Sequence, residues 1–152
     1  MKTATSCTIL SASACLAALL TAACMAQAEK DAPRGNPAEL AVELRKAEDS
    51  AAVTWEGGAA VVTITSASGI GSGSILLKKG EWPGKILVRL CYAGKKPFER
   101  LEGFGAGAAD PKTHEARPIN ADRKNPAEVV LTGLPGKGFP QISIRWVDAY
   151  RQ

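Results

Sequence analysis

From Val53 onward the sequence alternates between short apolar runs and breaks that contain Gly or Pro, and this pattern constrains the fold most strongly. Short runs rich in Val, Ile and Thr are typical of β-strands. We therefore expect a mainly β fold, an antiparallel β-sandwich of about seven strands. The expected strands are Val53 to Glu56, Ala60 to Ser66, Gly73 to Lys78, Lys85 to Tyr92, Glu99 to Phe104, Glu128 to Thr132 and Gln141 to Ala149.

Two of these expected strands also show a clear period of two. Side chains alternate across a strand, so each of the two should bury one set and expose part of the other. In the strand Lys85 to Tyr92, one face is expected to carry Ile86, Val88, Leu90 and Tyr92, and the other Leu87, Arg89 and Cys91. In the strand Gln141 to Ala149, one face is expected to carry Ile142, Ile144, Trp146 and Asp148, and the other Ser143, Arg145, Val147 and Ala149.

Two other segments are expected to differ from this pattern. Asn36-Pro37-Ala38-Glu39 has the residues of a helix start, and Leu40 and Leu44 follow at helical spacing. We therefore expect a short N-terminal helix over Pro37 to Glu48. The stretch Gly105 to Asn125 holds mostly small residues and scattered charge, so we expect a mobile loop there.

The first residues have the three parts of a secretion signal. Lys2 is followed by an apolar stretch from Thr8 to Ala28, which ends in Ala26-Gln27-Ala28 before the charged Glu29. A basic start, a short apolar segment and an A-x-A site are what signal peptidase recognises. We therefore expect a signal peptide over residues 1–28, a disordered leader over 29–36 and a single domain over 37–152.

An alternative export route depends on Cys24. Leu20-Thr21-Ala22-Ala23-Cys24 resembles a lipobox, although its Leu lies one residue earlier than a bacterial lipobox prefers. Lipidation of Cys24 would tether the domain to a membrane. Both routes place the domain outside the cytoplasm, either periplasmic or secreted, or as a membrane-tethered lipoprotein.

Cysteine content and charge exclude several classes of function. Of the four cysteines, only Cys91 lies beyond the expected signal, so an internal disulfide is not expected despite the oxidising compartment. Cys91 falls in an apolar strand and is expected to be a buried, inert thiol. The net charge is +4, with acidic and basic residues interspersed, which is not the pattern of a nucleic-acid-binding protein.

No motif indicates a cofactor, a metal or a catalytic residue. Gly69-Ile70-Gly71-Ser72-Gly73 joins two expected strands, whereas a dinucleotide-binding loop joins a strand to a helix. His114 is the one histidine of the sequence, and zinc sites need several His or Cys ligands.

Four residues remain as candidates for ligand binding. Trp82 precedes Pro83 in an expected turn and could serve as an exposed stacking platform, with Tyr150 as a further aromatic. Asp148 shares a face with Trp146 and could pair with Arg89 or Arg151. A structural acid that accepts hydrogen bonds is the favoured interpretation of Asp148.

Several short sequence segments resemble those of a family of exported bacterial β-sandwich domains that has no known activity. These segments are the Gly69-Ile70-Gly71 turn, Trp82-Pro83 before an Ile-, Leu- and Arg-containing strand, Leu101-Glu102-Gly103-Phe104, and the terminal Trp146-Val147-Asp148-Ala149-Tyr150-Arg151. The resemblance implies a β-sandwich and an exported location, and it implies no activity.

We therefore expect a non-catalytic exported module of the cell envelope, with a binding or structural role. Its partner would be a protein or glycan of the envelope, and we expect a monomer. Contact with a membrane is expected only if Cys24 is lipidated. The alternative is an accessory hydrolase that acts on envelope or environmental polysaccharide.

Overall fold

The computed structural model describes residues 38–94 and 96–149, and these residues form ten β-strands and no helix. The expected signal peptide and leader, Cys24 and Tyr150 lie outside the described residues. The strands are β1 (Glu39–Leu44), β2 (Ser50–Glu56), β3 (Ala59–Ser66), β4 (Ile70–Lys79), β5 (Ile86–Tyr92), β6 (Leu101–Ala109), β7 (Ala116–Arg117), β8 (Asn120–Asn125), β9 (Glu128–Thr132) and β10 (Gln141–Asp148).

The strands form two five-stranded sheets. The first sheet has the order β1-β4-β10-β6-β7 and the second has the order β2-β3-β5-β9-β8. All strand pairs are antiparallel except β3 and β5, which are parallel, so the expectation of purely antiparallel sheets is wrong for the second sheet. The cause is the path of the chain, which leaves β3, runs through β4 in the other sheet and returns to β5 in the direction of β3.

Both sheets bury apolar side chains in one common core. The alternation predicted for β10 is the observed one, with Ile142, Ile144, Trp146 and Asp148 buried. Burial of a large apolar side chain contributes about 1.5–3 kcal/mol, so this shared layer is the main source of stability. The buried residues of this core cluster are Ala60, Val62, Ile64, Ile75, Ile86, Val88, Leu90, Phe98, Leu101, Ala108, Ala127, Val129, Leu131, Phe139, Ile142, Ile144 and Trp146.

The helix expected over Pro37 to Glu48 is wrong within the described residues, because β1 occupies Glu39–Leu44. Leu40 and Leu44 fit a helical spacing, but Val42 between them also fits a period of two. All three residues pack against the core. β1 pairs with β4 along its whole length, and this pairing overrides the local helix-start signal.

The mobile loop expected over Gly105 to Asn125 is also wrong. β6 continues to Ala109, and β7 and β8, which pair with β6 and β9, occupy half of the remainder. The first half of β6 falls in the expected strand Glu99 to Phe104, but its second half carries only Gly and Ala, which have low β-propensity. The side chains of β8 are all exposed, and all except that of Ala121 are polar, so its sequence carries no apolar alternation. No part of the described chain forms a helix with the length and hydropathy needed to cross a membrane.

Candidate functional site

Trp82 lies between β4 and β5, where it is half-buried against the core. Its indole N–H donates a hydrogen bond to the carbonyl of Phe139 at 2.9 Å. One side of Trp82 borders a hollow of about 450 Å³ between residues 81–84 and 134–137. Lys137 and Glu81 form an ion pair at 2.9 Å between these segments. The indole is therefore anchored in the fold, and it is not a freely exposed platform.

Arg89 lies on the outer face of the second sheet and is held by two carboxylates. Its guanidinium donates to Glu128 at 2.8 Å and to Glu56 at 2.9 Å, which links β5 to β9 and β2. The hydrogen bond to Glu56, followed by the one to Glu128, raises the pKa of Arg89. Both partners of Arg89 thus belong to the same sheet as Arg89, and Asp148 is not one of them.

Asp148 is fully buried at the end of β10. Its backbone N–H donates to the carbonyl of Gly69 at 2.9 Å. A Cβ on Gly69 would lie 3.2 Å from the Asp148 Cβ and 3.3 Å from the Tyr92 hydroxyl, so these groups surround the β3–β4 turn closely. A fully buried carboxyl in this setting fits a structural role.

The structure does not bring the described candidates together. Asp148 lies beside the start of β4, whereas Trp82 follows the end of that strand. Arg89 lies on the outer face of the other sheet. Three separate positions cannot form one binding site, and Tyr150 lies outside the described residues.

Cys91 is half-buried on the outer face of the second sheet, so the expectation of a buried thiol is wrong. It lines a hollow of about 370 Å³ together with Ser50, Ala52, Thr63 and Thr65. Desolvation raises the pKa of the Cys91 thiol, and the positive charge of Arg89 offsets part of that rise. The thiol is therefore protonated at neutral pH and a poor nucleophile.

A groove on the outer face of the first sheet carries several polar side chains that are unpaired among the described residues. We call it the outer-face groove, and its volume is about 730 Å³. It crosses β1, β4, β10 and β6, on the side opposite the core. Its lining residues are Glu43, Leu44, Arg45, Ser72, Gly73, Ser74, Gly105, Ala106, Gly107, Gln141, Ser143, Ile144 and Arg145.

The strand register arranges the polar lining in rows across the sheet. In one row, Arg45 donates its backbone N–H to Ser72 at 3.0 Å, and Arg145 is opposite both Ser72 and Gly105. Strands lie about 4.8 Å apart, so the backbones of Arg45 and Arg145 are about 10 Å apart with Ser72 between them. The register therefore places two guanidinium-bearing residues on opposite sides of one serine.

The neighbouring row carries hydroxyls. It runs from Glu43 to Ser74, Ser143 and Gly107. Beside it, the Gln141 side-chain amide donates to the Ser74 hydroxyl at 2.7 Å. A serine hydroxyl can both donate and accept, so this row can bond to either kind of partner.

Two glycines of β6 shape the floor of the groove. A Cβ on Gly105 would lie 2.7 Å from Arg145 Nε, so the arginine side chain lies across the glycine. A Cβ on Gly107 would meet no atom within 4 Å. The floor beside Ser143 is therefore open space.

The charges of the groove have no ion-pair partners within the part of the chain that the structure describes. The ion pairs found there involve Arg89, Lys96 and Lys137, and none includes Glu43, Arg45 or Arg145. The Arg145 guanidinium also makes no side-chain hydrogen bond to a described residue. Its donors are thus free for a ligand.

Sequence reasoning missed this groove, although two signals were present. The predicted alternation in β10 placed Ser143 and Arg145 opposite the core. A further signal is the period of two in Gly103, Gly105 and Gly107, of which Gly103 falls in an expected strand and the other two in the expected loop. A strand with glycine at each outward position leaves a bare floor for the side chains of its neighbours.

Comparison with known protein families, with curated proteins and with solved structures gives no match to this chain. Among the residues described, no three or more His, Cys, Asp or Glu side chains form a group that could hold a metal ion. The functional assignment therefore depends on the chemistry of the outer-face groove itself.

Proposed function

We propose that this chain is a non-catalytic, exported binding module of the bacterial cell envelope, with its ligand held in the outer-face groove. The observation that carries the proposal is the unpaired Arg145 guanidinium lying over Gly105 beside the serine row. Charge-assisted hydrogen bonds from arginine are among the strongest that a protein offers to a ligand. Unpaired guanidinium donors beside the open floor at Gly107 are therefore available to a ligand.

Export is proposed from the layout of the first 28 residues, and periplasmic or secreted location follows from it. The resemblance to exported bacterial β-sandwich domains supports the same location. Mass spectrometry of the mature protein tests this part of the proposal. We expect an N-terminus at Glu29, and a diacylated N-terminus at Cys24 would indicate a membrane-tethered lipoprotein instead.

The balance of carboxylates favours binding over hydrolysis. Glycoside hydrolysis uses two carboxyl groups about 5–9.5 Å apart. Among the lining residues of the outer-face groove, Glu43 is the single acid. We therefore do not propose a hydrolase active site in this groove. We also do not propose one in the hollow beside Trp82, where Glu81 already forms an ion pair with Lys137.

Obstruction of the groove tests the proposed function. The variant Gly107→Trp fills the open floor, because nothing lies within 4 Å of the added Cβ. We expect the wild-type protein to co-sediment saturably with isolated insoluble bacterial envelope and Gly107→Trp to lose at least about tenfold in affinity, equivalent to about 1.4 kcal/mol.

Gly103→Trp is the matched control. Gly103 faces the same side of β6 about 13 Å further along the strand, and an added Cβ would make ordinary contacts with Val147 at 3.6 Å. It should bind like the wild type. Equal binding by the wild type and Gly107→Trp would contradict the proposed site.

A further inference from the structure

We propose that the ligand of the outer-face groove is an anionic polysaccharide whose carboxylate groups are bound by Arg45 and Arg145. This inference rests on the proposed function and adds the chemical class of the ligand.

The charge arrangement is the first step. Arg45 and Arg145 lie in one row of the sheet, with Ser72 between them, and no described carboxylate forms an ion pair with either residue. A guanidinium presents its donors in a planar fork that matches a carboxylate. Their backbones are two strand spacings apart, about 10 Å, so a ligand that engages both must carry acid groups on separate units.

The hydroxyl row is the second step. Ser74, Ser143 and the Gln141 amide lie immediately beside the arginine row, and Ser72 lies within it. A polysaccharide presents hydroxyl groups between its acid groups, and those hydroxyls both donate and accept hydrogen bonds. The serines do the same, so the two patterns are complementary.

The third step separates a polysaccharide from an acidic peptide. Protein partners dock most tightly through large apolar or aromatic anchors at the centre of an interface. The large hydrophobic side chain exposed in the described part of the chain is Ile70, which does not line the outer-face groove. The groove instead offers hydroxyls and guanidinium groups over a bare floor, which favours a hydroxyl-rich ligand.

Glu43 provides a further test of the inference because its charge is opposite to that of Arg45 and Arg145. It lines the groove in the row next to Arg45 and has no ion-pair partner among the described residues. A polyanion in the groove is repelled by this carboxylate, whereas a neutral glycan is not. The variant Glu43→Gln should therefore bind a polyanion a few times more tightly and leave the affinity for a neutral glycan unchanged.

Isothermal titration calorimetry with two matched polymers tests the proposal. The probes are polygalacturonate oligomers and the same oligomers fully methyl-esterified, which differ only in charge. The exported product of the full chain is titrated with each. We expect binding of the acid form, weakening of that binding at high salt, and at least about tenfold weaker binding of the ester.

Variants of the two arginines then locate the contact. Arg145→Gln and Arg45→Gln should each weaken binding of polygalacturonate by about tenfold or more. Arg145→Lys keeps the charge without the planar fork and should fall between Arg145→Gln and the wild type. Lys124→Gln on the exposed strand β8 removes the same unit of charge outside the groove and should bind like the wild type.

Several outcomes would overturn the inference. Equal affinity for the ester would show that the groove recognises a neutral glycan, and the proposed function would stand. Tighter binding of poly-glutamate than of polygalacturonate would identify an acidic peptide as the ligand class. Binding that falls equally in Lys124→Gln and Arg145→Gln would indicate unspecific attraction by net charge. Failure of the oligomers and of isolated envelope to bind would contradict both the inference and the proposed function.

Discussion

The pKa of the Cys91 thiol depends on the position of this residue in the sheet. It is half-buried on the outer face of β5, where desolvation raises its pKa. The folded state therefore favours the protonated thiol. Any stability from this preference is present below the pKa of the unfolded thiol and is lost as the pH rises through the higher folded value.

We predict slow alkylation of Cys91 at neutral pH. Iodoacetamide should modify it more slowly than a cysteine in an unfolded peptide, and the rate should rise only at a pH above the range in which an ordinary thiol ionises. Peptide-resolved mass spectrometry measures this rate for Cys91 alone. The variant Arg89→Gln removes the positive charge that lowers the thiol pKa and should slow alkylation further. Faster alkylation in Arg89→Gln would contradict the assigned cause.

Ser66 provides a second prediction. It is fully buried, and its hydroxyl has no hydrogen-bond partner among the described residues. Removal of a buried, unsatisfied hydroxyl costs little or stabilises the fold. Ser66→Ala should therefore keep or raise the melting temperature, measured by circular dichroism. A loss of several degrees would show that the hydroxyl has a partner that the account omits.

Asp148 should behave in the opposite way. It is fully buried beside Gly69 and Tyr92, and it makes a further interaction besides its backbone hydrogen bond to Gly69. Asp148→Asn removes the charge from a buried polar arrangement, and we expect a loss of about 1–3 kcal/mol. The lower stability should appear in both thermal and urea unfolding. An unchanged melting temperature together with lost binding of envelope would instead identify Asp148 as a ligand contact.

At the scale of the elements, β4 and β10 pack closely enough to require glycine at one position. A Cβ on Gly71 would lie 2.5 Å from Cζ2 of the buried Trp146 ring, which leaves no room for it. Gly71→Ala should destabilise the fold by about 1–3 kcal/mol through overpacking. Gly84→Ala is the control, because nothing lies within 4 Å of its added Cβ. Equal melting temperatures for the two variants would contradict the packing of β4 on β10.

The elements also show how far the sequence alone determines the fold. β5 and β10 could be predicted together with their buried faces, because each combines β-branched residues with a clear period of two. β1 could not, because Leu40 and Leu44 fit two periods and only pairing with β4 selects one. The first half of β6 could also be predicted, whereas its second half and β8 carry too little apolar side chain to be recognised without their partner strands.

The candidate site shows the same limit. Ser143 and Arg145 could be placed on the outward face of β10 from alternation alone. Their neighbours Arg45 and Ser72 come from different parts of the sequence, and only the register of β1, β4 and β10 brings them together. The sequence indicates Trp82 and Arg89 as candidate binding residues by their type alone, and in the structure each has a hydrogen-bond partner within the fold.

At the scale of the whole molecule, the two sheets present different outer faces. On the second sheet, the cation Arg89 is bound to Glu56 and Glu128. On the first sheet, Arg45 and Arg145 are unpaired among the described residues, and glycines leave open space beside them. This asymmetry supports the proposal that the ligand binds to the outer face of the first sheet.

Chemical-shift mapping tests this central claim most directly. The ¹⁵N-labelled exported protein is titrated with soluble fragments of isolated bacterial envelope. The account predicts that shift changes concentrate at Arg45, Ser72, Ser74, Ser143 and Arg145, and that they disappear in Gly107→Trp. Changes concentrated on β5 and β9 of the second sheet, or around Trp82 and Pro135, would contradict it.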